Sequence, residues 1–118
     1  MGWLVLKVNR DPEEDRWCLW STIVEAPVFD GTEADMTRMY LRQYGEVVRP
    51  ALMERIERAK VHGAGTDWEG DWDGEYTGMI YKQMGIMPRE KLGELLDIVS
   101  TQDRPDEDVR PLLRPFED

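Results

Sequence analysis

The chain has 118 residues, 25 acidic and 15 basic, with one cysteine, one histidine, five tryptophans and 41% apolar side chains. That length suits one domain with a single core and excludes a two-domain enzyme. A net charge of -10 opposes nucleic-acid phosphates and anionic lipid, so the expected partner is a protein with a basic surface, without direct nucleic-acid or membrane contact.

Trp3 to Val8 alternates Leu4, Leu6 and Val8 with Trp3, Val5 and Lys7, the pattern of a strand. Asn9 to Asp15 combines turn formers with charge, and the run from Arg16 to Ala26 resumes a strand, predicting a hairpin. Both faces of the second run are apolar. Trp17, Leu19 and Ile23 lie on one, Cys18, Trp20 and Val24 on the other, as in an interior strand covered on both sides or a strand with one face at an interface.

Asp30-Gly31-Thr32 reads as a turn into a helix, with Thr32 as cap, Met36, Met39, Tyr40 and Tyr44 at helical spacing, and Gly45 as stop. Pro50 opens a second helix with Leu52, Met53, Ile56 and Ala59 as its apolar stripe and Gly63 as its end. Residues 62–74 read as loop, and Glu75 to Gln83 as a third strand weakened at Gly78. Pro88 opens a last helix bearing Leu92, Leu95, Leu96 and Val99 on one face. The expected fold is therefore a small α+β domain over residues 1–100, an N-terminal β-hairpin and a third strand packed against about three helices. Residues 101–118 form an acidic, proline-rich tail that Val109, Leu112, Leu113 and Phe116 could dock.

Charge is unevenly distributed. Residues 1–61 hold 11 acids and 9 bases, net -2, whereas residues 62–118 hold 14 acids and 6 bases, net -8. Asp67, Trp68, Glu69, Asp71, Trp72, Asp73 and Glu75 place five carboxylates and two tryptophans in nine residues without a base. Three readings of this segment stand. Glu69, Asp71 and Asp73 before Gly74 follow the opening of a calcium loop, yet Ile80 occupies the twelfth position, where a bidentate carboxylate belongs. A solvated acidic loop is the second reading. In the third, the carboxylates select a basic partner and the tryptophans supply rigid apolar area, so all seven residues bind the partner.

Catalysis has little to stand on, and no catalytic residue or cofactor is assigned. Cys18 lies mid-strand as a small buried hydrophobe, and His62 lies at a helix end. One cysteine excludes an internal disulfide, and Cys18 with His62 cannot complete a four-ligand zinc site. The amino terminus lacks the basic region and long apolar segment of a signal peptide, so a cytoplasmic setting is expected.

The runs Leu19-Trp20-Ser21-Thr22-Ile23-Val24-Glu25-Ala26-Pro27 and Ile80-Tyr81-Lys82-Gln83-Met84-Gly85-Ile86-Met87-Pro88, with the ending Pro115-Phe116-Glu117-Asp118, resemble short acidic proteins encoded by actinobacteria and their phages. The resemblance implies a cytosolic, host-directed interaction protein and names no site residue. The expected function is a non-catalytic protein-binding module, an inhibitor or modulator of a host protein, with nucleic-acid mimicry as a specific version. The rival is a small divalent-cation protein or metal-dependent enzyme built on segment 67–75. A homo-oligomer is compatible with either.

Overall fold

The computed structural model describes residues 2–65, 72, 78–101 and 105–116. Strands β1 (Trp3–Lys7), β2 (Trp17–Ser21) and β3 (Ala26–Gly31) form an antiparallel sheet in the order β1-β2-β3. Helices α1 (Glu33–Tyr44) and α2 (Arg49–His62) follow. A second hairpin, β4 (Gly78–Tyr81) and β5 (Gly85–Pro88), precedes α3 (Leu92–Thr101) and the short α4 (Pro105–Val109). The α+β class expected from the sequence is the one observed, with four helices among the described residues. None of them is long and apolar enough to cross a membrane.

β2 is the interior strand because both of its faces are apolar. Trp17 and Leu19, with Val5 of β1, pack against Met36 and Tyr40 of α1 and Leu52, Ile56 and Ala59 of α2. Cys18 and Trp20, with Leu4, Leu6 and Val8, pack on the other side against Met79, Tyr81 and Met87 of the second hairpin and Leu92, Leu95 and Leu96 of α3. The sheet is thus the middle layer between two apolar cores. Trp17 and Trp20 are each 1% exposed, and removing one such side chain from water contributes roughly 4–6 kcal/mol.

The edges of the sheet are protected. Along β1, the Lys7 N–H donates to the Gly63 carbonyl (3.0 Å) and the Gly65 N–H to the Val5 carbonyl (2.9 Å), so the chain leaving α2 covers that edge. On β3, Pro27 has no N–H to offer, and the register shifts where Leu19 opposes Phe29 but Trp20 opposes Pro27. A bulge and a proline both discourage a foreign strand from adding there.

Helix ends follow their expected chemistry. The Asp35 N–H donates to Thr32 Oγ1 (3.2 Å), and Gly45 and Gly63 stop α1 and α2 with φ of +90° and +91°.

Several local expectations are corrected. The second strand ends at Ser21, and Ile23 and Val24 lie in the following turn with 83% and 56% exposure instead of facing two cores. The third strand of the sheet is Ala26–Gly31, where the sequence suggests no strand beyond Ala26 and a turn from Asp30; of the third strand expected over Glu75 to Gln83, Gly78–Tyr81 is a strand and belongs to the separate hairpin. Met53 is exposed, off the buried stripe of α2. Pro88 closes β5 and caps a 3-10 turn, Arg89–Lys91, before α3 begins. In the C-terminal segment, Val109 is fully buried in the core beneath α3, and Arg114 exchanges two 2.8 Å backbone hydrogen bonds with Ile86 of β5.

Candidate functional site

Of the seven residues assigned to partner binding, Asp67, Trp68, Glu69, Asp71, Asp73 and Glu75 lie outside the described residues, and the calcium trio Glu69, Asp71 and Asp73 lies wholly among them. Trp72 is described. Its backbone N–H donates to the His62 carbonyl (3.0 Å), and the centroid of its half-buried ring lies 5.3 Å from the Arg10 guanidinium carbon and 5.6 Å from that of Arg89. A Cβ added at Gly63 would fall 2.7 Å from the indole. Trp72 therefore packs as a cover over the junction of α2 and β1.

Two buried cations organise that junction. Arg89, 1% exposed, donates to the carbonyls of Lys7, Val8 and Gly63. Lys7, 3% exposed, donates from Nζ to the carbonyls of Asn9 (3.0 Å), Asp11 (2.8 Å) and Glu14 (2.9 Å), so the β1–β2 connection folds around its ammonium. Burial lowers the Lys7 pKa against the opposing pull of Asp11, Asp15 and Glu14. Alternation in the sequence already places Lys7 on the inward face with Val5. Arg89 follows Pro88 at a position read as a helix start, with no periodic cue to its burial.

A second arrangement lies at the opposite end of β2. Among the described residues, the non-glycine positions with positive φ are Glu25 (57°), Lys82 (45°) and Gln83 (59°), and all three meet in one place. The Lys82 N–H donates to the Glu25 carbonyl (3.0 Å), and Gln83 Nε2 donates to both Glu25 carboxylate oxygens (2.6 Å each). The tips of two hairpins are thereby laced together. Buried Ser21 accepts from the N–H groups of Ile23 and Val24 (3.2 Å each), and Thr22 donates from both N and Oγ1 to the Gly2 carbonyl (2.7 and 3.0 Å). Left-handed backbone costs roughly 1–2 kcal/mol at each non-glycine residue. The bonds around Glu25 and Ser21 offset that strain and fix a tip on which Ile23 and Val24 face solvent.

The base of the tip is polar. Asp106 accepts from Tyr81 OH (2.9 Å) and Lys82 Nζ (3.0 Å), which brings α4 with Asp106, Glu107 and Asp108 to the second hairpin. Sequence reasoning missed this tip for a definite reason. Thr22-Ile23-Val24-Glu25 contains no glycine, proline, asparagine or aspartate, and Lys82-Gln83 stands where two positive φ values ordinarily select Asn-Gly.

The remaining candidates are integrated into the architecture. Burial pushes the Cys18 thiol well above its ordinary pKa, so it is a neutral core group, not a thiolate. Among the described residues, no group of three or more His, Cys, Asp and Glu side chains is placed to hold a metal ion. Comparison with models of protein families, with curated proteins and with solved structures finds no match.

Proposed function

We propose that this chain is a non-catalytic protein-binding module that docks on a basic protein surface, with the β2–β3 tip as its apolar contact. One observation carries the reading: Ile23 and Val24 are 83% and 56% exposed in a turn whose N–H groups are held by Ser21, next to Glu25, which has a φ of 57°. Residues in left-handed backbone concentrate where a protein presents something to a partner. A tip ordered before binding forfeits little entropy on docking. Glu25, Asp106, Glu107 and Asp108 near the tip, together with the acidic excess after residue 61, favour a basic rim on that partner.

The test is affinity capture from a lysate of the cells that express the protein, at low and high salt, with three baits. The wild type should retain a specific protein, and Ile23→Ser/Val24→Ser should release it at both salt concentrations while its circular dichroism stays unchanged. A bait with amides replacing the carboxylates of segment 67–75 should bind more weakly at low salt. Retention of the same proteins by the folded tip variant would overturn the assignment of the tip.

A further inference from the structure

Residues 35–49 carry Arg38, Arg42 and Arg49 against two acids, Asp35 and Glu46, a local net charge of +1 in a chain of net -10. Arg38 and Arg42 stand one turn apart on α1 and both line two clefts, one on each side of the helix. The first, about 290 Å³, is walled by Trp3, Asp35 and Met39; the second, about 340 Å³, lies towards Leu41, Glu46 and Arg49. We propose that this ridge binds an extended acidic peptide segment of a partner, with carboxylates at alternate positions.

Spacing supports that ligand. One helical turn separates the two arginines by about 6 Å, and carboxylates two residues apart on an extended peptide lie about 6.7 Å apart on the same side. Each arginine can take one carboxylate, the geometry that guanidinium groups favour. A peptide long enough to cross the ridge fills both clefts, which a small anion cannot do. An apolar residue beside the carboxylates has a seat against Trp3, whose ring is held edge-on by Tyr40 and Tyr44 at centroid distances of 6.1 and 5.4 Å.

The cations are accessible. Arg42 is exposed and makes no ion pair among the described residues. Arg38 pairs with Asp35 and Arg49 with Glu46, in each case across exposed i,i+3 positions. Such exposed surface pairs contribute little to stability and exchange readily for an incoming carboxylate. Nucleic acid fits poorly, because its dense phosphates would be repelled by a chain of net charge -10.

The probe is a fluorescein-labelled acetyl-Leu-Glu-Thr-Glu-Leu-amide peptide, titrated by fluorescence anisotropy at low salt. The wild type should bind it, and Arg42→Gln should weaken binding about tenfold. Arg110→Gln, which removes the same charge elsewhere, should leave binding unchanged. The peptide with glutamine in place of both glutamates should also bind about tenfold more weakly. Equal binding by wild type and Arg42→Gln, equal binding of the two peptides, or no binding at about 1 mM peptide would overturn the proposal. Ile23→Ser/Val24→Ser should bind the peptide as the wild type does, so failure at the ridge is distinguishable from failure of the tip.

Discussion

The indole of Trp72 covers the guanidinium of Arg89, whose central carbon lies 5.6 Å from the ring centroid. Arg89 ties the end of β1 to the end of α2 through the carbonyls of Lys7, Val8 and Gly63. Hydrogen bonds to a charged group are worth about 1.5–3 kcal/mol when water is kept away. Trp72→Ala removes both the cover and a large apolar body. It should destabilise the fold by about 2–3 kcal/mol, towards the lower end for an aromatic truncation because the ring is only half-buried. Urea unfolding checks this: the midpoint should fall at unchanged slope, and Trp72→Phe should recover part of the loss. An alanine variant as stable as the wild type would refute the cover.

Gly63 is coupled to the same ring. Its φ of +91° already disfavours a side chain, and an added Cβ would sit 2.7 Å from the indole. Gly63→Ala should therefore cost more than the roughly 1 kcal/mol expected of left-handed backbone alone. In a Trp72→Ala background the collision disappears and only the backbone cost remains. A double-mutant cycle should show coupling of at least about 0.5 kcal/mol, whereas additive effects would place the ring elsewhere.

The middle of the fold was legible because its physics is periodic. Alternation in Trp3 to Val8 and in Trp17 to Trp20 assigned both sheet faces correctly, and Thr32, Gly45 and Gly63 marked helix ends by cap chemistry. What stayed hidden was set by tertiary contact. Ile23 and Val24 have strong strand propensity, yet the chain turns there because Ser21 and Gly2 capture its polar groups. Ala26–Gly31 pairs with β2 despite Pro27 because an edge strand tolerates a missing donor. The laced tips join residues 58 positions apart, a distance no local pattern reports. Of the acidic segment, Trp72 is the described residue, and its packing near Gly63, Arg10 and Arg89 is a tertiary contact that composition does not report.

Asp106 gives the C-terminal segment a pH dependence. The hydrogen bond from Lys82, followed by that from Tyr81, holds its carboxyl below the ordinary value of 3.8. Burial first, and the bond to Asp106 second, push the Tyr81 phenol above 10. The depressed carboxyl contributes stability that is complete above pH 3.8 and lost as pH falls through its folded-state pKa. The raised phenol contributes stability that is complete below pH 10 and lost as pH rises through its own. The Lys82 ammonium, raised above 10.5 first by the hydrogen bond to Asp106, shares the alkaline limb. Asp106 is half-exposed, so solvent screening keeps the effect small. In melting temperature against pH, Asp106→Asn should flatten the acid limb relative to wild type and Tyr81→Phe should reduce the alkaline one. Parallel curves for wild type and Asp106→Asn would show that the contact does not form.

The second hairpin's turn carries backbone strain next to the proposed contact. Lys82 and Gln83 bear positive φ at both central positions of a turn closed by the Met84 N–H on the Tyr81 carbonyl (2.8 Å). Asn-Gly adopts that backbone with less strain. Lys82→Asn/Gln83→Gly should relieve roughly 1 kcal/mol at each site, but it also removes the Gln83 bonds to Glu25 and the Lys82–Asp106 pair, surface contacts of about 0–1 kcal/mol each. The net result should be a domain of equal or slightly greater stability whose Ile23–Val24 turn is no longer braced by Gln83. If a braced tip is what a partner recognises, this variant should bind more weakly with no loss of fold, and hydrogen exchange at the amides of Ile23 and Val24 should quicken. Full partner binding with faster exchange at those amides would show that bracing plays no part in recognition.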